Sequence, residues 1–431
     1  MENLANSAQG ARPPGKRLAL FFDGTWNEPP NHTTVRRLRL MLAERDSNGI
    51  PQRAFYDAGV GTRGYDRLSG GMFGARLSDN VRSGYRWLTE NYDLGDEIYI
   101  FGFSRGAFTA RSLVGLIARC GLLAPNSPIS FAQLFERYQR EDAVLPIYKL
   151  FNFKGQRAQL GFEERALLDT SYYFRYLITM VGVWDTVGSI GVPFANLKGI
   201  SRRTLKFHNT RLSQAIERSY HAMAIEEYRR PYWVVLWTEF FPEIPEPEAA
   251  PARPDERYVE QRWFSGAHAN VGGGYRSDLL PDRPLAWLQE KARARGLAFR
   301  SSGCVSDEDL TCSPTDSYGQ FLWGLWRIVT FGHRFTRWIM ADPVRKTARA
   351  RGNGTSTDGW VQTVNERIDA SVFWRCQADP KYRPRGLIEW ARRKGLDLEQ
   401  VIADPNRYAN LSSPVTGPGI ERLALPSQPA T

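Results

Sequence analysis

Five residues, Gly102-Phe103-Ser104-Arg105-Gly106, constrain this 431-residue chain more than any other feature. They stand between a short apolar run, Glu97–Phe101 (EIYIF), and a segment with a largely apolar face, Gly106–Cys120. The run reads as a buried strand and the segment as a helix, so the serine falls on a strand-to-helix turn. Glycines at 102 and 106 let such a turn be tight and let other backbone pass closely. A serine held there projects its hydroxyl from the edge of a sheet. The helix N-terminus behind it places partial positive charge where an oxyanion would develop. The backbone N–H of Arg105 is the expected first oxyanion donor.

The rest of the chain repeats this alternation. Strands are expected at Arg17–Phe22 (RLALFF), Arg53–Tyr56, Tyr176–Trp184 (YLITMVGVW), Tyr232–Trp237 (YWVVLW) and Val259–Phe264. Helices are expected at Arg76–Asn91, with Leu77, Val81, Tyr85 and Leu88 at helical spacing, at Asn209–Tyr228 and at Pro284–Arg295. Gly59–Gly74 and Pro242–Pro254 read as loops. The pattern implies an α/β fold: a mostly parallel sheet with helices on both faces and functional residues just after the strands. Residues 121–175 break the rhythm and read as an insertion over the sheet, a candidate cap. The expected division is a flexible leader at 1–16, a catalytic domain at 17–300, and a basic, aromatic extension at 301–431 packed on it with a flexible tail. Apolar residues make up 42% of the chain, enough for a large core.

A serine nucleophile needs a base, and only His32, His208, His221, His268 and His333 are available. His268 follows the strand Val259–Phe264 and sits beside Gly272-Gly273-Gly274, glycines that suit a loop close to substrate. His208 and His221 fall on or near an expected helix, His333 has no strand before it, and His32 precedes the serine. Asp185 closes the strand ending at Trp184 and is the best partner to orient an imidazole. Asp169 lies before that strand; Asp278 and Asp282 follow His268. The expected set is therefore Ser104, Asp185 and His268. Phe21-Phe22-Asp23-Gly24-Thr25-Trp26-Asn27 also closes a strand. Its Gly24 or Thr25 backbone N–H could supply the second oxyanion donor, with Asp23 holding the loop. Asp23 and Asn270 are candidates for a loop near substrate.

Several classes fall away. The four cysteines include no CxxC pair and no nearby His cluster, so no metal site is expected, and the chemistry requires no cofactor. The net charge of +11 favours anionic partners, yet no recognition helix, zinc finger or RNP-like pattern points to nucleic acid. The first residues lack the apolar core of a secretory signal, and no apolar run approaches the length of a spanning helix. The expectation is a protein made in the cytoplasm, with any export by a route that needs no such signal. Residues 321–347 interleave Trp, Phe, Ile and Leu with Arg, His and Lys. They read as a helix packed on the domain with a basic outer face, or as one that contacts an anionic membrane.

Four stretches taken together resemble one family: FFDGTWN at 21–27, GFSRGAFTAR at 102–111, GVWDTVG at 182–188 and WFSGAHANVGGGY at 263–275. YHAMAIEEYRRPY at 220–232 and KYRPRGL at 381–387 add to the likeness. The chain resembles the catalytic domain of type VI secretion phospholipase effectors of the first lipase class over most of residues 17–390. Asn270 and Ser265 depart from the Asp and Pro often found there. The resemblance implies an α/β-hydrolase fold and a Ser–Asp–His triad at Ser104, Asp185 and His268. It also implies lipid acyl esters as substrate and leaves room for an accessory or immunity protein as partner. The alternatives are a hydrolase of soluble esters, polyesters or amides, and a non-catalytic basic binding module on a hydrolase scaffold.

Overall fold

The computed structural model describes residues 15–409 apart from 25–31, 60–69, 141–143, 153–156, 175, 188–214, 243–258, 276–277, 321–326, 329 and 350–355. At its centre lie β1 (Arg17–Phe22), β2 (Gln52–Asp57), β3 (Glu97–Phe103), β6 (Ile178–Trp184), β7 (Ile216–Ala224), β9 (Val259–Phe264) and β12 (Glu366–Ile368). They form a seven-stranded sheet in the order β12-β9-β7-β6-β3-β1-β2. Every pairing between neighbours in it is parallel. β1 and β6 are buried along their whole length, as expected of strands covered on both faces.

The period-two alternation of β1 sorts its side chains to two cores. Leu18, Leu20 and Phe22 pack with Val81, Tyr85 and Leu88 of α2 (Gly70–Asn91) and with Leu113 and Ile117 of α3 (Arg105–Cys120). Ala19 and Phe21 face the other way, onto Val35 and Leu38 of α1 (Thr34–Met41) and Leu285 and Leu288 of α8 (Asp282–Arg293). The serine turn thus sits between two helical layers, at the middle of the sheet.

Among its described residues the insertion has a short antiparallel pair, β4 (Leu122–Leu123) with β5 (Ser171–Tyr172), and the α-helices α4 (Phe131–Gln139), α5 (Ile147–Asn152) and α6 (Phe162–Thr170). It leaves the core at the carboxyl end of α3. A helix of 16 residues spans about 24 Å, so the insertion is rooted far from Ser104 at the other end. Leu134, Tyr138 and Leu167 bury against the α2–α3 side. The described part of this segment flanks the helices.

Three expected elements differ. Asn209–Tyr228, read as a helix, contains β7 from Ile216, and residues 209–214 lie outside the described part. Ile216, Ser219, His221, Ala222, Met223 and Ala224 are buried in this strand, and His221 pairs in register with Val183 and Gln261. A strand buried on both faces has lost the polar–apolar alternation that would mark it, and this one carries polar residues besides. Tyr232–Trp237, read as a strand, begins on the last residue of a 3-10 turn (Arg230–Tyr232) and then holds an isolated bridge between Val187 and Val234. The Gln261 side chain accepts from Trp237 N (2.7 Å) and donates to Trp237 O (3.0 Å), taking the backbone groups a ladder partner would use. The glycine-rich stretch read as a loop to residue 74 enters α2 at Gly70. Of the loop at 242–254, only Pro242, the last residue of β8 (Thr238–Pro242), is described. β8 joins β10 (Val344–Arg349) and β11 (Ser356–Thr363) in a separate antiparallel sheet of three strands.

The extension after residue 300 also enters the main sheet, because β12 is its edge strand beside β9. Trp390, Val372, Phe373, Leu387 and Val401 pack with Trp263 and Ile225, so this part has a core continuous with the sheet. Among the described helices, none is long and apolar enough to cross a membrane.

Candidate active site

Ser104 is the N-cap of α3, yet its side chain makes no cap hydrogen bond. Its backbone is at φ 58, ψ −119, a region that L-residues enter only when the surroundings force them. The surroundings are close backbone on both sides. A Cβ at Gly102 would stand 2.5 Å from Gly106 O, and one at Gly106 would stand 2.5 Å from Asp23 O. Ser104 N donates to Trp184 O at 3.0 Å, tying the turn to β6. The hydroxyl is left to point elsewhere.

It meets His268. Ser104 Oγ lies 2.8 Å from His268 Nε2, and His268 Nδ1 lies 2.5 Å from Asp185 Oδ2. The three side chains come from residues far apart in the chain and all stand at the carboxyl ends of strands: Ser104 after β3, Asp185 after β6, His268 after β9. Asp185 is fully buried and also sits at positive φ (36°). Its Oδ1 accepts from Ala224 N at 3.0 Å. Burial pushes its carboxyl up, but the Arg337 guanidinium and His268 outweigh this and hold it well below the usual carboxylate range. Burial lowers the His268 imidazole below its ordinary 6.5 against the pull of Asp185. A neutral imidazole beside an ionised carboxylate is the state that can accept a proton from the serine.

The loop carrying His268 is braced from several directions. α7 (His268–Gly272) is capped by Ala267, whose N–H donates to Asn270 Oδ1 at 2.9 Å. Asn270 Nδ2 donates to Asp278 Oδ2 at 2.8 Å, and Thr315 N donates to Asn270 Oδ1 at 3.2 Å. Asn270 therefore spends its polar atoms on holding the loop. His268 N donates to Glu227 Oε2 at 3.3 Å, and the buried Glu227 also pairs with Arg229 at 2.7 Å. Phe103 and Tyr232 flank the imidazole, with ring centroids at 4.7 and 5.1 Å.

Asp23 holds the loop after β1. It accepts from Thr33 Oγ1 at 2.6 Å, Tyr56 Oη at 2.9 Å and Gly24 N at 2.7 Å. The last bond engages the Gly24 amide, while Thr25 lies outside the described residues. Arg105 N is at the first turn of α3 beside the serine. His221 is not part of the relay. It is buried and accepts from Thr186 N at 3.0 Å through Nε2, and burial pushes its pKa down to about 3. Among the described residues, no group of three or more His, Cys, Asp or Glu is placed to hold a metal ion.

One residue at this site has no signal in the sequence. Arg337 is buried, with Nη1 donating to Asp185 Oδ1 (2.6 Å) and Ala224 O (2.7 Å). Its Nη2 donates to Asp185 Oδ2 (3.0 Å) and Tyr232 O (2.5 Å). The stretch 321–347 reads as a surface helix, but residues 330–343 carry no helix and turn Arg337, Ile339 and Met340 inward. Trp323 and Trp326 lie outside the described residues. An arginine among aromatic and basic residues looks like surface; only the folded chain shows the buried carboxylate it answers. Glu227 and Arg229 lie in a stretch the resemblance includes, though without an assigned role.

A parallel sheet covered by helices, with a serine on the strained turn after a central strand, defines a hydrolase of the α/β type. The chain belongs to the family described as "T6SS, Phospholipase effector Tle1-like, catalytic domain", whose model matches residues 16–291. A curated relative, "Uncharacterized protein YEL023C" of Saccharomyces cerevisiae, is 27% identical over 319 residues, which cover 64% of this chain and 43% of that protein. The chain thus spans less than half the length of that relative. An uncharacterized protein from Pseudomonas aeruginosa is similar in structure at a TM-score of 0.41 and 18% identity, covering 72% of this chain and 55% of the other. The Tle1 effector bound to the VgrG spike gives a TM-score of 0.32 at 12% identity, covering 91% of this chain and 80% of that one.

Proposed function

We propose that this protein is a serine esterase that cleaves acyl esters of lipids, phospholipids foremost, with Ser104, His268 and Asp185 as its catalytic triad. The observation that carries the reading is the unbroken relay from Ser104 Oγ to His268 Nε2 at 2.8 Å and from His268 Nδ1 to Asp185 Oδ2 at 2.5 Å. Ser104 Oγ attacks the ester carbonyl as His268 Nε2 takes its proton. Asp185 keeps the imidazole in the tautomer with hydrogen on Nδ1 and stabilises the imidazolium that forms. The Arg105 N–H, at the start of α3, faces the developing oxyanion, where the helix terminus adds partial positive charge. The tetrahedral intermediate collapses as His268 returns the proton to the leaving alcohol, which leaves an acyl-serine. His268 then deprotonates a water that attacks this ester, releasing the fatty acid and restoring the serine.

Lipid as substrate rests on the family's description and on the segment that brings in Arg337. Ile328, Phe331 and Trp338 are 71%, 90% and 53% exposed along it, beside Arg327 and Arg334. Exposed apolar side chains among arginines suit an anionic interface. The test is fatty-acid release from mixed anionic phospholipid vesicles by wild type and Ser104→Ala. The reading predicts release that falls at least ~10³-fold in the mutant. Equal activity on short soluble esters with none on vesicles would move the substrate away from lipid. Activity retained by Ser104→Ala would end the triad assignment.

A further inference from the structure

Asp185 is fully enclosed, and its two oxygens receive four donors. An ionised carboxylate in such a place is costly unless a partner charge and hydrogen bonds compensate it. Two of the donors are the prongs of one guanidinium, at 2.6 and 3.0 Å, a fork-to-fork pair. Arg337 Nη2 and His268 Nδ1 share the same oxygen, Oδ2. The guanidinium is itself fixed by Ala224 O at the end of β7 and by Tyr232 O. It is anchored to the sheet before it reaches the acid. It also comes from beyond residue 291, where the match to the family's catalytic domain stops.

We propose that Arg337 is a positioning residue of the catalytic site, supplied by the C-terminal segment, which fixes the rotamer of Asp185 and sets the pH range in which His268 works as a base. This rests on the triad reading above. Two effects follow from one contact. The fork holds Oδ2 on the line to Nδ1, so the imidazole keeps its Nε2 toward Ser104. Its positive charge also offsets part of the carboxylate's field at the imidazole. Without that charge Asp185 would stabilise the imidazolium more strongly, and His268 would be protonated at higher pH. The other charged and titratable groups around His268 are Glu227 and Arg229 after β7 and Tyr232, with Arg105 at the start of α3 beside Tyr232. Glu227 and Arg229 form an ion pair whose two charges act on His268 in opposite directions. Tyr232 is neutral, its hydroxyl held above its ordinary value by burial. That leaves Arg337 as the positive charge in direct contact with the acid.

The test uses the full chain and two readouts. The first is the pH dependence of kcat/KM on a soluble ester for wild type, Arg337→Met and Arg337→Lys. The acid limb is expected to move up by about one pH unit in Arg337→Met, the size usual for a neighbouring charge in a buried site. In Arg337→Lys it stays within about 0.3 unit, because the charge remains, while kcat falls about tenfold because one prong is lost. An acid limb unchanged in folded Arg337→Met would overturn the proposal, as would wild-type kcat in Arg337→Lys. The second readout is the ¹⁵N NMR titration of His268 in Ser104→Ala with and without Arg337→Gln, which needs no turnover and serves also if Arg337→Met does not fold. His268 is expected to titrate about one unit higher without the arginine, and an identical titration overturns the proposal. Should Ser104→Ala keep its activity, the triad reading fails by itself, while this titration still reports on Arg337.

Discussion

Ser104 is strained, and the strain can be measured. Its φ of 58 costs a non-glycine residue of order 1–3 kcal/mol. Ser104→Gly should therefore be more stable than Ser104→Ala by about 1 kcal/mol in denaturant unfolding, although both lose activity; equal stability would show that the turn stores nothing. His268 gives a second prediction. Burial lowers its imidazole from 6.5, so on the triad reading the acid limb of kcat/KM on a soluble ester should lie below that value, and a limb above it would contradict the reading. Asp185→Asn should lower kcat by about 10⁴, since an amide can stabilise the wrong imidazole tautomer, and should also lower stability by about 3–5 kcal/mol in denaturant unfolding, because the buried Arg337 loses its carboxylate. Ser104 and Asp185 are picked out by their place at the end of an apolar strand, and His268 by chain order and its neighbouring glycines; the structure brings the three side chains together. Arg337 was not readable, since nothing along the chain distinguishes an arginine that reaches a buried acid from one that faces water.

At the scale of elements, the site depends on how closely α3 approaches β1. Gly106 lies against the backbone of Phe22 and Asp23, and a Cβ there would stand 2.5 Å from Asp23 O. Gly106→Ala should destabilise the protein by about 1–3 kcal/mol, the usual cost of overpacking, and displace the Asp23 loop. Thermal melting with activity on a soluble ester checks both effects, and a neutral result would mean that the two elements are free to part. This contact also explains which elements were legible in the sequence. β1, β3 and β6 are continuous apolar runs because both of their faces are covered, and turns bound them sharply. β7 defeated the same reading, since Glu217, Arg218, Ser219 and His221 interrupt its apolar residues and two of them, Ser219 and His221, are buried. Tyr232–Trp237 reads as a strand because YWVVLW is an apolar run, but at Trp237 the Gln261 side chain bonds both the backbone N–H and the carbonyl. Side chains that imitate a ladder leave no periodic trace.

For the whole molecule, the C-terminal part completes both the sheet and the site. β12 forms the edge beside β9, and Arg337 reaches the acid at the middle. A chain cut after residue 291 should lose the packing of Trp263 and Ile225 against Trp390 and Leu387, and should be insoluble or inactive. Overall stability should also respond to pH through His221. Its folded pKa is depressed to about 3 against an ordinary 6.5, so the unfolded chain binds the extra proton between those values. Its contribution is complete above 6.5 and is lost as pH falls toward 3, at up to about 1.4 kcal/mol per pH unit. Denaturant unfolding from pH 7 to 4 should show a shallower slope in His221→Gln than in wild type; parallel slopes would refute the assignment. The relay itself is tested most directly by intact-protein mass spectrometry after exposure to a fluorophosphonate. The account predicts one adduct, mapped to Ser104, absent in Ser104→Ala and formed at least ~10³-fold more slowly in His268→Ala. An adduct on another residue, or labelling at the same rate without His268, would contradict it.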